Sequence, residues 1–249
     1  MLKKLSLAAA VSAATLSGLA YAETVDTPAG KLDVTMTATL ATDWINRGQA
    51  LNGAPTIQGS FDIAHESGLY VGVWGGSMSD SEGGSEFDYY IGFGGDITED
   101  ISYDISAALY TYPGTYAGEA NGRKLDAKSD IEYAASLTAY GATLGVKERT
   151  KMTDQLYVYL GYSLELPAGF GLSASIGYTD YEKEIKYERE NYMDWNVGVS
   201  KTLGGVGLAL TYSTTDIDEK TRIINGEETS LCGAHSCRNN VSFSISKTF

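Results

Sequence analysis

Residues 32–44 read LDVTMTATLATDW, and their side chains alternate between apolar and polar along the chain. One face of an extended segment carries Leu32, Val34, Met36, Ala38, Leu40, Thr42 and Trp44. The opposite face carries threonines and an alanine together with two acids, Asp33 and Asp43. Because successive side chains of a strand point to opposite sides, this period of two predicts a β-strand. The segment is long enough to cross a bilayer core at a tilt.

The same alternation recurs along the chain. It is clear in six segments, which are residues 32–44, 56–64, 86–95, 101–112, 171–179 and 239–249. Six weaker segments lie between them, at residues 69–77, 131–137, 142–148, 155–164, 192–203 and 206–214. Together they predict twelve antiparallel strands. Both faces of 69–77 and of 155–164 carry apolar groups, which leaves the register of these two segments open.

The connections between these segments alternate in length. Short ones fall at 65–68, 96–100, 138–141, 166–169 and 203–205, and long ones at 45–55, 78–85, 113–130, 149–154, 180–191 and 215–238. Outer-membrane barrels have short periplasmic turns, longer extracellular loops and an even number of strands. The predicted fold class is therefore all-β, a transmembrane antiparallel up-and-down β-barrel.

Alternation alone does not say which face meets lipid, because a soluble antiparallel sandwich alternates in the same way with its apolar side inward. Two features favour the membrane. The polar face is rich in small Ser, Thr and Gly side chains, which suit a lumen that contains water. The apolar face carries aromatic residues of the kind that settle at membrane–water interfaces, namely Trp44, Tyr89, Tyr103, Tyr178, Trp195 and Tyr212.

The N-terminus carries an export signal. Two lysines precede an apolar, alanine-rich run that ends in Ala-Tyr-Ala at residues 20–22. We therefore expect a signal peptide over residues 1–22, cleaved between Ala22 and Glu23, and a barrel over residues 23–249. An uncleaved membrane anchor is the alternative, although the run is short for a spanning helix.

The C-terminus ends in Phe249 on an alternating strand. It resembles the terminal aromatic signal by which the barrel-assembly machinery recognises outer-membrane barrels. We therefore expect that machinery, outer-membrane lipid and lipopolysaccharide as partners, in the bacterial outer membrane. The oligomeric state stays open.

The chain is acidic, with 32 Asp and Glu against 18 Lys and Arg and a formal net charge of −14. Nucleic acid is excluded as a partner because phosphate binding needs a basic surface. Ionised side chains are costly against lipid, so those on strands are expected inside or at a rim. The candidate pore-lining residues are Asp33, Asp43, Asp62, Glu86, Asp88, Asp104, Glu132, Asp194, Lys147 and Arg47. The excess of acids predicts a cation-preferring pore; the alternative is a packed interior neutralised by hydrogen bonds.

Arg47 has two interpretations. In the first, its guanidinium pairs with a lumen carboxylate and forms a constriction of opposed charges. In the second, which we favour from the sequence, Arg47 lies at the surface and contacts lipopolysaccharide phosphate. Residues 147–151, KERTK, are likewise expected where the chain leaves the membrane.

The two cysteines, Cys232 and Cys237, both lie in the exported part of the chain. An oxidising compartment should join them in a disulfide that pins the last long loop. A metal site with His235 is the less favoured alternative, because a fourth ligand would have to come from elsewhere. Acids and bases interleave over residues 180–191, which indicates a solvated loop more than a calcium site. We expect no metal and no cofactor.

An enzyme is not expected. The exported part offers only His65 and His235, and neither a Gly-x-Ser-x-Gly elbow nor an HExxH motif occurs. His65 falls in a short turn predicted to be periplasmic, away from the lipids of the outer leaflet. Catalysis without histidine is the alternative that this leaves open.

Residues 58–74, QGSFDIAHESGLYVGVW, resemble a block of the TorF family, whose members are named as porins. The preceding residues 43–48, DWINRG, are similar to the Asp-aromatic and Arg-Gly stretch of that family. The likeness is clearest over 32–112. It implies an outer-membrane barrel, and it assigns no substrate and no catalytic residue.

These observations lead to one functional hypothesis and one alternative. The first is a porin through which small polar solutes, with some preference for cations, diffuse passively. The alternative is a non-conducting structural or adhesion barrel that acts through its extracellular loops, chiefly 180–191 and 215–238.

Overall fold

The computed structural model describes residues 23–78, 84–116, 119–120, 123–124, 127–150, 154–181, 190–217, 221–224, 227–230, 232 and 235–249. Twelve strands form the wall: β1 Gly30–Ala41, β2 Thr56–His65, β3 Leu69–Ser77, β4 Ser85–Asp96, β5 Ile101–Tyr116, β6 Ala127–Ala139, β7 Ala142–Thr150, β8 Gln155–Leu166, β9 Phe170–Tyr181, β10 Tyr192–Leu203, β11 Val206–Thr215 and β12 Asn240–Thr248. A short strand, Glu23–Thr27, folds back onto the start of β1 and completes a 13-stranded sheet.

The wall is an up-and-down barrel in which each strand pairs antiparallel with its neighbours in the chain. It closes where Thr37–Ala41 of β1 pairs with Ser244–Thr248 of β12. The pairing extends to the last residue. The Phe249 N–H donates to Met36 O at 2.8 Å, and the Met36 N–H donates to Phe249 O at 3.2 Å. Closure leaves the wall without a free edge, which a chain in lipid requires because hydrocarbon offers backbone groups no hydrogen bonds.

The alternation predicted from the sequence is confirmed strand by strand. On β4, Tyr89 and Ile91 are 53% and 51% exposed, whereas Glu86 and Asp88, at positions of the opposite parity, are buried. The same division holds on β5, where Ile105 points outward and Asp104 inward. The outer surface is therefore an apolar belt and the acids face the lumen, so this is a transmembrane barrel and not a soluble sandwich.

Aromatic residues border the apolar belt at both ends. Toward the long loops, outward-facing positions carry Phe87, Tyr89, Tyr178, Trp195 and Tyr212; toward the short turns they carry Phe93, Tyr140, Tyr162, Phe170 and Phe249. Amphipathic rings favour the membrane–water interface, so these two sets mark its levels. Trp44 is an exception to our prediction: it is 6% exposed and lies inside the barrel.

All twelve predicted strands are present, but several run further than the alternation indicated. β5 and β6 reach Tyr116 and Ala127, so the loop predicted over 113–130 is largely an extended strand pair. Part of the last long loop is also a strand pair, Thr221–Ile224 with Glu227–Ser230. Backbone pairing can continue beyond the lipid without an apolar face. Alternation of apolar and polar residues therefore underestimates the length of these strands.

The short turns are confirmed at their predicted places. The one between β8 and β9 is a 3₁₀ turn, Pro167–Gly169. Within the described residues no helix has the length and apolar character needed to cross a membrane. The signal peptide predicted over residues 1–22 and most of loop 180–191 lie outside the described residues.

Candidate functional site

The first long loop does not project away from the barrel. Ile45–Asn46 pairs with Gln49–Ala50 to form a tight hairpin, and the Leu51 N–H donates to Trp44 O at 2.8 Å across its base. We call residues 44–50 the plug hairpin. Its side chains are enclosed, with Arg47 9%, Gln49 5% and Ala50 2% exposed. The loop therefore enters the lumen from the long-loop end.

The turn of the plug hairpin has the geometry that a two-residue hairpin favours. Arg47 and Gly48 both have positive φ, 47° and 78°, as in a type I′ turn. Gly48 is required for a second reason. A Cβ there would lie 2.7 Å from Asp194 Cβ and from Thr214 O, so the tip sits directly against the wall. A larger residue would push the hairpin out of the lumen.

Arg47 is bound to Glu132 of β6. The Arg47 Nη2 donates to Glu132 Oε2 at 2.6 Å, and both side chains are nearly inaccessible to solvent. Two further bases, Lys147 and Arg149 of β7, lie 3.7 and 3.5 Å from the same carboxylate. The Tyr110 hydroxyl donates to Glu132 Oε1 at 3.0 Å. The single carboxylate of Glu132 thus faces three positively charged side chains, and one of these, Arg47, belongs to the plug hairpin.

Aromatic rings hold the guanidinium groups in place. The Cζ of Arg47 lies 4.5 Å from the ring centre of Tyr157, and that of Arg149 lies 4.2 Å from the ring centre of Tyr110. Burial by itself would lower the pKa of Arg47, but the adjacent Glu132 carboxylate more than offsets this and its pKa is raised. The tip of the plug therefore carries a permanent positive charge.

Neutral hydrogen bonds fix the rest of the plug hairpin. Asn240 Nδ2 donates to Gly48 O at 3.0 Å, and Gln49 Nε2 donates to the Tyr192 hydroxyl at 2.7 Å. Trp44 adds an aromatic contact, because its ring centre lies 4.9 Å from that of Trp74. Such a plug can exchange its protein partners for water at a smaller cost than an apolar core could.

The predicted disulfide between Cys232 and Cys237 is present and lies over the plug hairpin. Ala50 pairs with Ser236 inside the disulfide loop, with N–H to O distances of 2.7 and 3.2 Å. Cys237 is fully buried, and its carbonyl accepts from the Thr215 hydroxyl at 2.7 Å. Both thiols are consumed by the disulfide, so the alternative of a Cys-His metal site does not apply.

Six other predicted lumen residues lie on the inward faces of their strands. Asp104 accepts from the Tyr70 hydroxyl at 2.8 Å, and Asp194 accepts from the Tyr157 hydroxyl at 3.3 Å. Asp62 accepts from Ser60 Oγ at 2.8 Å and also from the Tyr90 hydroxyl. Lys147 is the fourth, and it joins the Glu132 cluster. Glu86 and Asp88 are also buried and inward.

Two expectations need correction. Arg47 is not a surface residue, because the loop that carries it turns inward to reach Glu132. Asp43 lies beyond the end of β1, where its Oδ1 accepts backbone N–H groups of Trp44 at 2.7 Å and Gly53 at 3.1 Å; it shapes the loop instead of lining a pore. Asp33 shares the inward face with Asp62, since its partner in register is Ala64, and it lies half-buried at the short-turn end, where it accepts from the exposed Thr24 hydroxyl at 2.6 Å.

Sequence reasoning missed Arg149 and the plug hairpin itself. Arg149 lies on the inward side of β7, two residues after Lys147, so the period of two could have placed it. The turn of the hairpin has a weaker sequence signal. A glycine, Gly48, occupies the second of its two central positions, both of which have positive φ. Nothing local in the sequence indicates that such a hairpin folds into the lumen.

The other half of the lumen is lined differently. Toward the short turns many inward positions are small hydroxyl residues that keep part of their surface accessible, among them Thr37, Ser60, Ser102, Ser106, Ser173, Ser200, Ser244 and the exposed Ser163. The lumen is thus closely packed near the long loops and, apart from the buried Tyr70–Asp104 pair, polar and accessible toward the short turns. No cluster of three or more His, Cys, Asp or Glu side chains able to hold a metal occurs among the residues just described or elsewhere in the described part.

Comparison with known proteins gives one family and several distant structures. The model of a bacterial protein family of unknown function, Gcw_chp, matches residues 25–249. Membership of the TorF family, which residues 58–74 resemble, is not confirmed by this match. No curated protein matches the sequence.

Among solved structures, OccAB3 of Acinetobacter baumannii is 10% identical with a TM-score of 0.43, and the match covers 90% of this chain and 65% of OccAB3. The chain therefore spans just under two thirds of that protein. An outer membrane channel from Pseudomonas putida F1 is 12% identical with a TM-score of 0.47, covering 90% of this chain and 97% of the other. LpxR from Salmonella typhimurium is 8% identical with a TM-score of 0.48, covering 86% and 99%.

Proposed function

The chain belongs to the Gcw_chp family of bacterial proteins of unknown function, and we propose that it is an outer-membrane channel for passive diffusion of small polar solutes. The observation that carries the proposal is the division of the lumen. A polar, accessible half leads to a narrow half that is closed by a hairpin held through polar and ionic contacts. A barrel whose only role was structural would gain more stability from an apolar interior than from buried charges.

In this proposal the chain is exported by its signal peptide, and Phe249 serves its assembly into the outer membrane. The short turns then lie in the periplasm, and the plug hairpin enters from the cell surface, where lipopolysaccharide surrounds the barrel. Of the two histidines, His65 is engaged in the short-turn end: its Nδ1 and Nε2 lie 2.7 Å from Ser67 Oγ and 2.9 Å from Ala29 O. This supports a structural role for His65 over a catalytic one.

The charge of the inner wall supports a preference for cations. Within the described residues, seven buried acids face three bases; the acids are Asp62, Glu86, Asp88, Asp104, Asp130, Glu132 and Asp194, and the bases are Arg47, Lys147 and Arg149. In a narrow lumen with low-dielectric walls, an excess of one sign concentrates the opposite ion. Potassium should therefore pass more readily than chloride.

A second candidate is a non-conducting barrel that acts through its surface loops. It is favoured by the packing of the long-loop half, where the plug hairpin leaves Arg47 and Glu132 almost without solvent contact. In that case the hairpin would be a permanent closure and not a constriction.

Recordings in planar lipid bilayers test the proposal. The purified mature protein is expected to give discrete conductance steps and, in a potassium chloride gradient, a reversal potential displaced toward the potassium equilibrium value. Heat-unfolded protein serves as the control. A reversal potential displaced toward chloride would overturn the cation preference, and insertion without any current would favour the non-conducting barrel.

A further inference from the structure

Two carboxylates, Glu86 and Asp88, lie side by side on the inward face of β4, outside the Arg47–Glu132 cluster. Asp88 is directly opposite Trp74 of β3 on one side and Tyr110 of β5 on the other. Glu86 is opposite Gly76 of β3. Both carboxylates are therefore flanked by aromatic or small side chains along the wall.

The indole of Trp74 covers the gap beside Glu86. A Cβ at Gly76 would lie 2.7 Å from Trp74 Cη2 and 3.1 Å from Cζ2, so the ring leans over this glycine. The Trp44 ring of the plug hairpin packs against Trp74 at 4.9 Å between ring centres, tilted by 58°. Gly76 thus gives the indole its place next to the carboxylate pair.

The pair is not fully satisfied. Asp88 is 5% exposed, and its Oδ1 has no hydrogen-bond partner among the described residues. Glu86 is 4% exposed and lies two positions away on the same face of β4, so a second buried carboxylate stands beside Asp88. The nearest base, Arg149, is already engaged elsewhere, because its Nε lies 3.5 Å from Glu132 and its guanidinium rests on Tyr110. A buried acceptor without a donor is costly and indicates that a further positive group belongs here.

We propose that Glu86, Asp88, Trp44 and Trp74 form a binding site for a small organic cation in transit through the lumen. The inference rests on the proposed channel function and specifies its solute class. The carboxylates supply the opposite charge, and the indole faces attract a weakly hydrated cation such as a substituted ammonium. A divalent metal ion fits less well, since it needs more oxygen ligands than two carboxylates supply.

Binding brings a positive charge to two neighbouring buried carboxylates. Because both carboxylates are buried and Trp44 belongs to the plug hairpin, the cation reaches the site when the hairpin shifts. The site therefore lies in the closely packed half of the lumen, at the long-loop end of β4 and beside the plug hairpin.

Tryptophan fluorescence offers a direct test, because the chain has three tryptophans and only Trp195 faces outward. The Trp195→Phe variant of the mature protein, folded in detergent micelles, reports on Trp44 and Trp74 alone. N-methylpyridinium, a small organic cation that quenches indoles on contact, is the titrant. We expect saturable quenching, whereas neutral acrylamide should quench weakly and without saturation.

In the Trp195→Phe background, Asp88→Asn and Glu86→Gln are each expected to raise the half-saturating concentration at least about tenfold. Asp96→Asn is the matched control, since it removes the same charge at the exposed end of the same strand and should leave the titration unchanged. Folding of each variant is checked by its heat-dependent electrophoretic mobility, and two variants guard against one that does not fold. Non-saturating quenching in the parent, or equal titrations for Asp88→Asn and Asp96→Asn, would overturn the site.

The readout does not depend on conduction, so the two proposals fail separately. Ion conduction without saturable quenching overturns the cation site and leaves the channel. Saturable quenching in a barrel that never conducts supports the site and overturns the channel.

Discussion

Removal of the plug hairpin is expected to raise the single-channel conductance by roughly an order of magnitude, because the hairpin occupies the narrow half of the lumen. Trp44 O and Leu51 N are 2.8 Å apart, so residues 45–50 can be replaced by two glycines without moving either flank. The change removes Arg47 from the constriction and leaves the acids of β4, β6 and β10 in place. Cation preference should therefore increase together with conductance.

The matched control removes a hairpin elsewhere. The strand pair Thr221–Ile224 and Glu227–Ser230 forms its own two-stranded sheet in the last long loop. Its replacement by two glycines should leave the conductance within the scatter of the parent protein. If loss of the plug hairpin changed the conductance no more than this control, the hairpin would not be the constriction.

Glu132→Gln is expected to lower the free energy of unfolding by about 3 kcal/mol, the effect typical of removing one partner of a buried ion pair. The substitution keeps the shape of the side chain, so it creates no cavity. It leaves Arg47, Lys147 and Arg149 without the carboxylate that lies within 3.7 Å of all three. Reversible urea unfolding in lipid vesicles, followed by tryptophan fluorescence, measures the change.

Two further variants identify the cause of that loss. Asp100→Asn removes an exposed acid from a short turn and should alter the unfolding free energy by less than about 0.5 kcal/mol. Adding Arg47→Met to Glu132→Gln removes one of the stranded cations and should recover part of the loss. A single Glu132→Gln variant as stable as Asp100→Asn would show that the cluster is solvated and contributes little.

The barrel could be predicted from the sequence because the pattern that specifies each strand lies within the strand itself. Each strand shows the alternation independently of the others, as Asp88 and Tyr89 do on β4, because every outward position in the membrane must be apolar. The disulfide was predictable for the same reason, since Cys232 and Cys237 are separated by only five positions. Short turns and long loops then fixed the up-and-down order.

The interior was not predictable to the same degree, because its contacts join distant parts of the chain. Arg47 and Glu132 are 85 positions apart, and Gly48 and Asn240 are 192 apart. The alternation indicated that Glu132 faces the lumen, but it could not indicate that a loop enters and meets it. Asp43 was misplaced because the pattern continues past the last paired residue of β1 into a segment that is already a loop.

The central claim is that the polar faces of the strands enclose water while the apolar faces meet lipid, and two adjacent positions on β5 test it most directly. Ile105 is 52% exposed in the bare protein, whereas Ser106 points inward and is half-buried. In vesicles with a charged maleimide on both sides, Ser106→Cys should be modified and Ile105→Cys should be protected by lipid, while the native cysteines stay unreactive in their disulfide. Modification of Ile105→Cys with protection of Ser106→Cys would contradict the account.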